Sequence, residues 1–68
     1  MVYRKTRQAY GWRLRVARKH LYGRQLWYVI VGVNEDGKEY MFSRHISEEY
    51  ALRRLQGMDP RECQKTPL

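Results

Sequence analysis

A nearly unbroken apolar run of eight residues, Leu26–Val33, restricts the fold of this chain more than any other feature. The run is rich in β-branched and aromatic residues, and it is far shorter than the roughly 20 residues that a membrane helix needs. Apolar residues at both alternating positions indicate a central strand that is covered on each face. The next four residues, Asn34-Glu35-Asp36-Gly37, predict a turn because Asn bonds to nearby backbone and Gly accepts a positive φ. The sequence therefore predicts a β-hairpin within an antiparallel sheet.

Two further strands complete the predicted sheet. Residues 38–44 follow the turn and form the returning strand of the hairpin. Residues 12–19 alternate between apolar and basic side chains, which is the period of a half-buried strand. In that alternation Arg13 and Arg15 lie on the opposite face from the apolar residues.

One helix is predicted after the sheet. Ser47 is a typical N-cap, acidic residues follow in the first turn, and Gly57 marks the end of a helix of about ten residues. The helical spacing of Ala51, Leu55 and Met58 gives it one apolar face, and so short a helix has to pack against the sheet. The predicted fold is therefore α+β, with a three-stranded antiparallel sheet followed by one C-terminal helix packed on one sheet face. The other face stays open for a ligand.

The chain has room for one domain, because a chain near 60 residues buries only about 60% of its unfolded surface. We assign residues 11–58 to this domain, between a basic N-terminal arm at 1–10 and a flexible C-terminal tail at 59–68. A lone cysteine, Cys63, forms no internal disulfide, and two distant histidines make no zinc site. No apolar segment follows the basic start, as it would in an export signal. We expect a cytoplasmic protein without metal, cofactor or membrane contact.

Charge is distributed unevenly along the sequence. Fourteen Lys and Arg oppose seven Asp and Glu, for a formal net charge of +7, and the first acidic residue is Glu35. A surface that serves solubility alone mixes both signs, whereas one sign over half a chain indicates a polyanionic partner. The basic residues that precede Glu35 are the predicted nucleic-acid-binding residues: Arg4, Lys5, Arg7, Arg13, Arg15, Arg18, Lys19 and Arg24.

Aromatic residues are interleaved with these basic ones. Basic side chains neutralise phosphates, and aromatic faces either stack on bases or fill a core. For Trp12, Trp27 and Phe42 we favour the core, because so small a domain needs large side chains inside.

The sequence contains no catalytic set of residues. Cys63 has no base near it in the sequence, and we interpret His20 and His45 as ordinary exposed or loop histidines. Neither a glycine-rich phosphate loop nor a serine nucleophile motif is present. We therefore predict a binding module that is not an enzyme.

Four short segments carry a resemblance to a known architecture. They are Gly11-Trp12-Arg13, Trp27-Tyr28, Asp36-Gly37-Lys38 and Ser47-Glu48-Glu49-Tyr50-Ala51. Their layout over about residues 11–57 resembles that of the arm-binding domains of tyrosine integrases and of the plant AP2-type domains, in which three strands precede one helix. The resemblance implies a sheet that enters the major groove of DNA. It also implies that Arg13, Arg15, Lys19 and Arg24 are contacts.

Three functional hypotheses remain open at this point. The first is a nucleic-acid-binding module that contacts the phosphate backbone through the arm and the open sheet face, with DNA preferred over RNA as the partner. The alternative is a small phage-type inhibitor or adaptor whose arginines dock on an acidic surface of a host protein or nucleoprotein complex, since Trp, Tyr and Arg also dominate protein interfaces. A third is a ribosome- or RNA-associated structural protein. A homodimer formed through a sheet edge is compatible with all three.

Overall fold

The computed structural model describes residues 3–68, so the first two residues of the predicted arm lie outside it. The described residues form an α+β fold in which an antiparallel sheet has the strand order β1-β2-β3-β4-β5. The elements in chain order are β1 (Thr6–Ala9), β2 (Trp12–His20), β3 (Leu26–Val33), β4 (Glu39–His45), α1 (Glu48–Gly57) and β5 (Thr66–Pro67).

The predicted fold class is confirmed, but the number of strands is wrong. The sheet has five strands, because β1 forms within the predicted arm and β5 within the predicted tail. The strand β1 returns into β2 through a tight turn in which Tyr10 and Gly11 both have positive φ, 53° and 80°. The strand β5 pairs with β4, and the Leu68 amide extends the pairing to the Glu39 carbonyl at 3.1 Å. Neither strand has a signal like those that predict the other three, which are the alternation of β2, the apolar run of β3 and the turn that precedes β4.

The central hairpin has the predicted turn chemistry. The Asn34 side-chain oxygen accepts hydrogen bonds from the amides of Asp36 and Lys38, at 3.0 and 2.9 Å. Gly37 has a φ of +80°, and its amide donates to the Asn34 carbonyl at 3.0 Å. The turn thus fixes the register between β3 and β4, in which Val33 lies opposite Glu39.

The main core lies between α1 and one face of the sheet, which we call the covered face. Leu14, Ile30 and Phe42 project from three successive strands and pack against Leu55 and Met58. The helix therefore buries the apolar face that its spacing predicts.

Gly32 is required on the covered face because Phe42 packs directly over its backbone. A Cβ atom at this position would lie 2.5 Å from the Phe42 ring and 2.9 Å from Leu14 Cδ2. The ring of Trp12 packs edge-on against Phe42, with centroids 5.0 Å apart.

The segment after the helix continues over the covered face. Met58 and Pro60 are buried, and Cys63 packs against the core cluster. The residues that we interpreted as a flexible tail therefore contribute to the core before they enter β5. Among residues 3–68, no helix has the length and apolar character to cross a membrane. Nor do three or more His, Cys, Asp or Glu side chains in that range cluster as metal ligands would.

Candidate functional site

The sheet face that points away from α1, which we call the open face, carries an excess of basic side chains. The strand registers place four basic residues and one acidic residue on it. They are Arg13, Arg15, Lys19 and Arg44, with Glu39 as the acid. Arg13 and Arg15 thus lie on the face where the alternation predicts them.

The residues at the centre of the open face are apolar and buried. Val29 and Val31 are 0% exposed, and they occupy the middle of the central strand. Arg15 on β2 forms an ion pair with Glu39 on β4 at 3.5 Å, and this pair bridges the two strands across β3. Both partners remain close to half exposed, so the pair itself adds little stability. Its effect is to keep the Arg15 guanidinium over the sheet.

A basic groove of about 840 Å³ adjoins the open face beside β1 and β2. Polar side chains such as Gln8 and Gln56 complete its wall. It brings together four of the eight predicted binding residues, which are Arg4, Arg7, Arg13 and Arg15.

Arg7 differs from the others because its guanidinium is engaged inside the protein. It lies on the covered face opposite Leu14, and Nη1 donates to the carbonyls of Leu55, at 3.2 Å, and of Met58. The last carbonyls of a helix lack partners within the helix and favour a nearby cation. Arg7 therefore caps the C-terminal end of α1, and it also lines the groove.

The residues before β1 are tied to the rest of the fold. The Arg4 carbonyl accepts a hydrogen bond from Gln56 Nε2 at 2.7 Å, and the Lys5 carbonyl accepts one from the Val16 amide at 3.4 Å. The Arg4 and Lys5 side chains are both exposed. The described part of the basic arm is thus held against the sheet and the helix.

The remaining predicted residues are spread over the far end of the sheet. Lys19 lies on the open face opposite Trp27, whereas the neighbouring Arg18 lies on the other face opposite Tyr28. Arg24 is exposed in the loop that joins β2 to β3. The structure therefore does not gather all eight residues into one site.

Arg44 is a basic residue of the open face that the sequence analysis missed. Strict alternation along β4 groups Arg44 with Tyr40 and Phe42, on the covered face. The pairing shifts register between Ile30 and Val31, so that Met41 faces Val31 but Ser43 faces Ile30. This β-bulge at Phe42 inserts one residue and turns Arg44 to the open face. A bulge has no reliable signal in the sequence.

Arg44 is surrounded by aromatic side chains near the β2–β3 loop. Its guanidinium carbon lies 4.8 Å from the ring centroid of Tyr22 and 5.3 Å from that of Trp27. Its Nη1 also donates to the Tyr22 hydroxyl at 3.1 Å. The two rings meet edge to face, with centroids 6.4 Å apart. Trp27, which we favoured as a core residue, thus lies half-buried on the open face.

Four titratable groups have altered pKa values, and all lie outside this face: the pKa values of Arg53 and Arg61 are raised, and those of His45 and Asp59 are lowered. Partial burial, and secondarily the charge of Arg54, lowers the pKa of His45. Its Nε2 lies 3.0 Å from the Ser43 hydroxyl. Hydrogen bonds from the Arg61 side chain and amide lower the pKa of Asp59. Both groups are accounted for by their structural surroundings.

Comparison of the chain with protein-family models, with curated proteins and with solved structures finds no match.

Proposed function

We propose that this chain is a nucleic-acid-binding module that contacts the phosphate backbone through the open face and the adjoining basic groove. The observation that carries the proposal is the row of Arg13, Arg15 and Lys19 on one face of β2. Arg13 and Arg15 are alternate residues and lie about 7 Å apart, a spacing that suits successive phosphates of one nucleic-acid strand. Lys19 lies about 13 Å beyond Arg15, because Ala17 occupies the position between them. Arg4 in the groove and Arg44 on β4 extend the basic surface on either side.

The chemistry of these side chains suits phosphate. Arginine presents a planar set of donors that binds phosphate oxygens bidentately. Arg13 and Arg44 form no ion pair within residues 3–68, so their charge is available to a ligand. The resemblance to sheet-based DNA-binding domains stays a prediction, and such an analogy carries less weight than the site itself.

The proposal is tested with a pair of variants that remove the same charge from opposite sides of the molecule. One replaces Arg13 and Arg15 by Gln, and the other replaces Arg53 and Arg54 of the helix by Gln. Fluorescence anisotropy with labelled single-stranded DNA, duplex DNA and RNA at physiological salt gives the affinities. We expect the open-face variant to lose at least about tenfold in affinity, because each charged contact contributes about 1.5 kcal/mol or more. The helix variant should stay within about threefold of the wild type.

Equal losses in the two variants would mean that net charge alone drives binding, which contradicts the assigned face. If none of the three probes binds the wild type at physiological salt, the nucleic-acid function is wrong. The arginines would then serve the alternative function, which is docking to an acidic protein surface.

A further inference from the structure

We infer that Tyr22, with Trp27 and Arg44, forms a stacking platform for an unpaired base, so that the ligand of the proposed site is single-stranded nucleic acid. This inference rests on the proposed function and specifies its substrate class. Base pairs in a duplex stack on each other and bury their faces, whereas an unpaired base offers its face to an aromatic ring.

The first support is the exposure of Tyr22. Its side chain is 71% exposed at the tip of the loop between β2 and β3. A ring so exposed contributes little to the core. The Arg44 contacts hold it in place while they leave most of its surface in solvent.

The second support is the backbone of Tyr22. Its φ of 55° lies in the left-handed region, which costs free energy for a bulky residue and which Gly or Asn adopts more readily. Tyr10 shares this conformation with a φ of 53°, so the backbone holds the Tyr22 ring at the tip of the loop but does not by itself mark a binding site. The loop closes tightly around this residue, since the Leu21 amide donates to the Gln25 carbonyl at 3.2 Å and Trp27 Nε1 donates to the Leu21 carbonyl at 3.2 Å.

The third support is the surrounding charge. Lys19 lies opposite Trp27 on the open face, and Arg24 follows Tyr22 by two residues in the same loop. A base stacked on Tyr22 would thus place its flanking phosphates within a cationic rim that continues into the row of Arg13 and Arg15. Together, the platform and the phosphate contacts define a path for one nucleic-acid strand along β2.

Tyr10 provides an internal comparison. It also precedes a glycine in a β-turn, has a φ of 53° and is 59% exposed. Its ring is covered by the Arg61 guanidinium at 3.5 Å, and Arg61 is itself paired with Asp59 at 2.8 Å. Each ring thus has an arginine over it, but Arg61 is neutralised by Asp59 whereas Arg44 forms no ion pair within residues 3–68. Tyr10 therefore makes a matched control.

The test compares an oligothymidine of about 12 nucleotides with a duplex of the same length. Tyr22→Ala removes the ring, Tyr22→Gly removes it and also relieves the backbone strain, and Tyr22→Phe keeps the ring without the hydroxyl. We expect the first two to lower the affinity for the single strand about 5- to 100-fold and to change duplex affinity by less than about twofold. Tyr22→Phe and the control Tyr10→Ala should remain within about twofold for both probes. Thermal unfolding of each variant verifies that it is folded.

The inference is overturned if Tyr22→Ala and Tyr22→Gly leave the single-strand affinity unchanged, or if the duplex affinity falls by the same factor. When the Arg13 and Arg15 variant loses binding but the Tyr22 variants do not, the platform alone is wrong and the proposed function stands. If the wild type binds neither of these probes nor RNA, the proposed function fails first.

Discussion

At the scale of single residues, arginines with the same place in the charge pattern have different roles. Arg7 and Arg13 both belong to the acid-free part of the sequence, yet Arg7 binds carbonyls at the end of α1 while Arg13 is exposed on the open face. The difference follows from the register, since Arg7 lies opposite Leu14 on the covered face and Arg13 opposite Val33 on the open one.

Replacement of Arg7 by Met should lower the free energy of unfolding by about 2 kcal/mol. The Met side chain keeps much of the apolar stem but leaves the Leu55 and Met58 carbonyls without their charged donor, and hydrogen bonds to charged groups contribute about 1.5–3 kcal/mol. Urea denaturation measures the change. The control Arg13→Met should shift the unfolding free energy by no more than about 0.5 kcal/mol, and a similar loss in both variants would argue against the capping role.

His45 should make stability depend on pH. Its pKa in the folded chain lies below the ordinary value of 6.5, because burial and Arg54 disfavour the charged ring. As the pH falls from about 7.5 to 5.5, the unfolded chain takes up the proton first, so the free energy of unfolding falls. Denaturation at several pH values should show this fall in the wild type and in His20→Asn, and a flatter profile in His45→Asn. An unchanged profile in His45→Asn would contradict the assignment.

At the scale of elements, the three strands and the helix with strong periodicity were predictable, and the short edge strands were not. The bounds of β3 and the length of α1 follow from an apolar run, a turn and the residue types at the helix ends, although Ser47 at the N-cap makes no side-chain capping hydrogen bond. The strands β1 and β5 depend on pairing with an existing edge, which local sequence does not encode. For the site, alternation places Arg13, Arg15 and Lys19, whereas the bulge that exposes Arg44 and the capping contact of Arg7 arise from tertiary packing.

Removal of residues 65–68 should increase self-association. In the full chain β5 pairs with Tyr40 and Met41 and thereby covers the outer edge of β4. A free strand edge presents unpaired amide and carbonyl groups to a second chain. Sedimentation velocity should show a larger species for the shortened chain than for the full chain. The control Lys65→Ala, which keeps β5, should behave as the full chain does, and an identical sedimentation profile for the shortened chain would contradict the prediction.

At the scale of the whole molecule, the thin, flat shape makes the basic open face a broad surface. The Cα atoms extend over 32 × 31 × 17 Å, so the open face is one of the two broad surfaces. The four basic residues of this face, together with Arg4 in the groove, place five cations near the proposed nucleic-acid strand. A broad surface of this kind contacts several nucleotides at once.

The salt dependence of binding should reflect those five cations. For a single strand, the logarithm of the association constant should fall with the logarithm of salt concentration with a slope of about −3.5. The variant in which Gln replaces Arg13 and Arg15 should give a slope of about −2, because two fewer phosphates are neutralised. Anisotropy titrations between low and physiological salt measure both slopes, and equal slopes would mean that Arg13 and Arg15 do not contact phosphate.

The order of strands in the sheet has a consequence for how the chain folds. Every strand pairs with its neighbour along the sequence, so hairpins that close in microseconds can assemble the sheet stepwise. We expect the segment that carries Met58 and β5 to dock last, because it pairs with β4 only after the helix has intervened. Met58→Ala should therefore accelerate unfolding and leave the folding rate nearly unchanged, as stopped-flow measurements would show. A slower folding rate in that variant would place this segment in the folding nucleus instead.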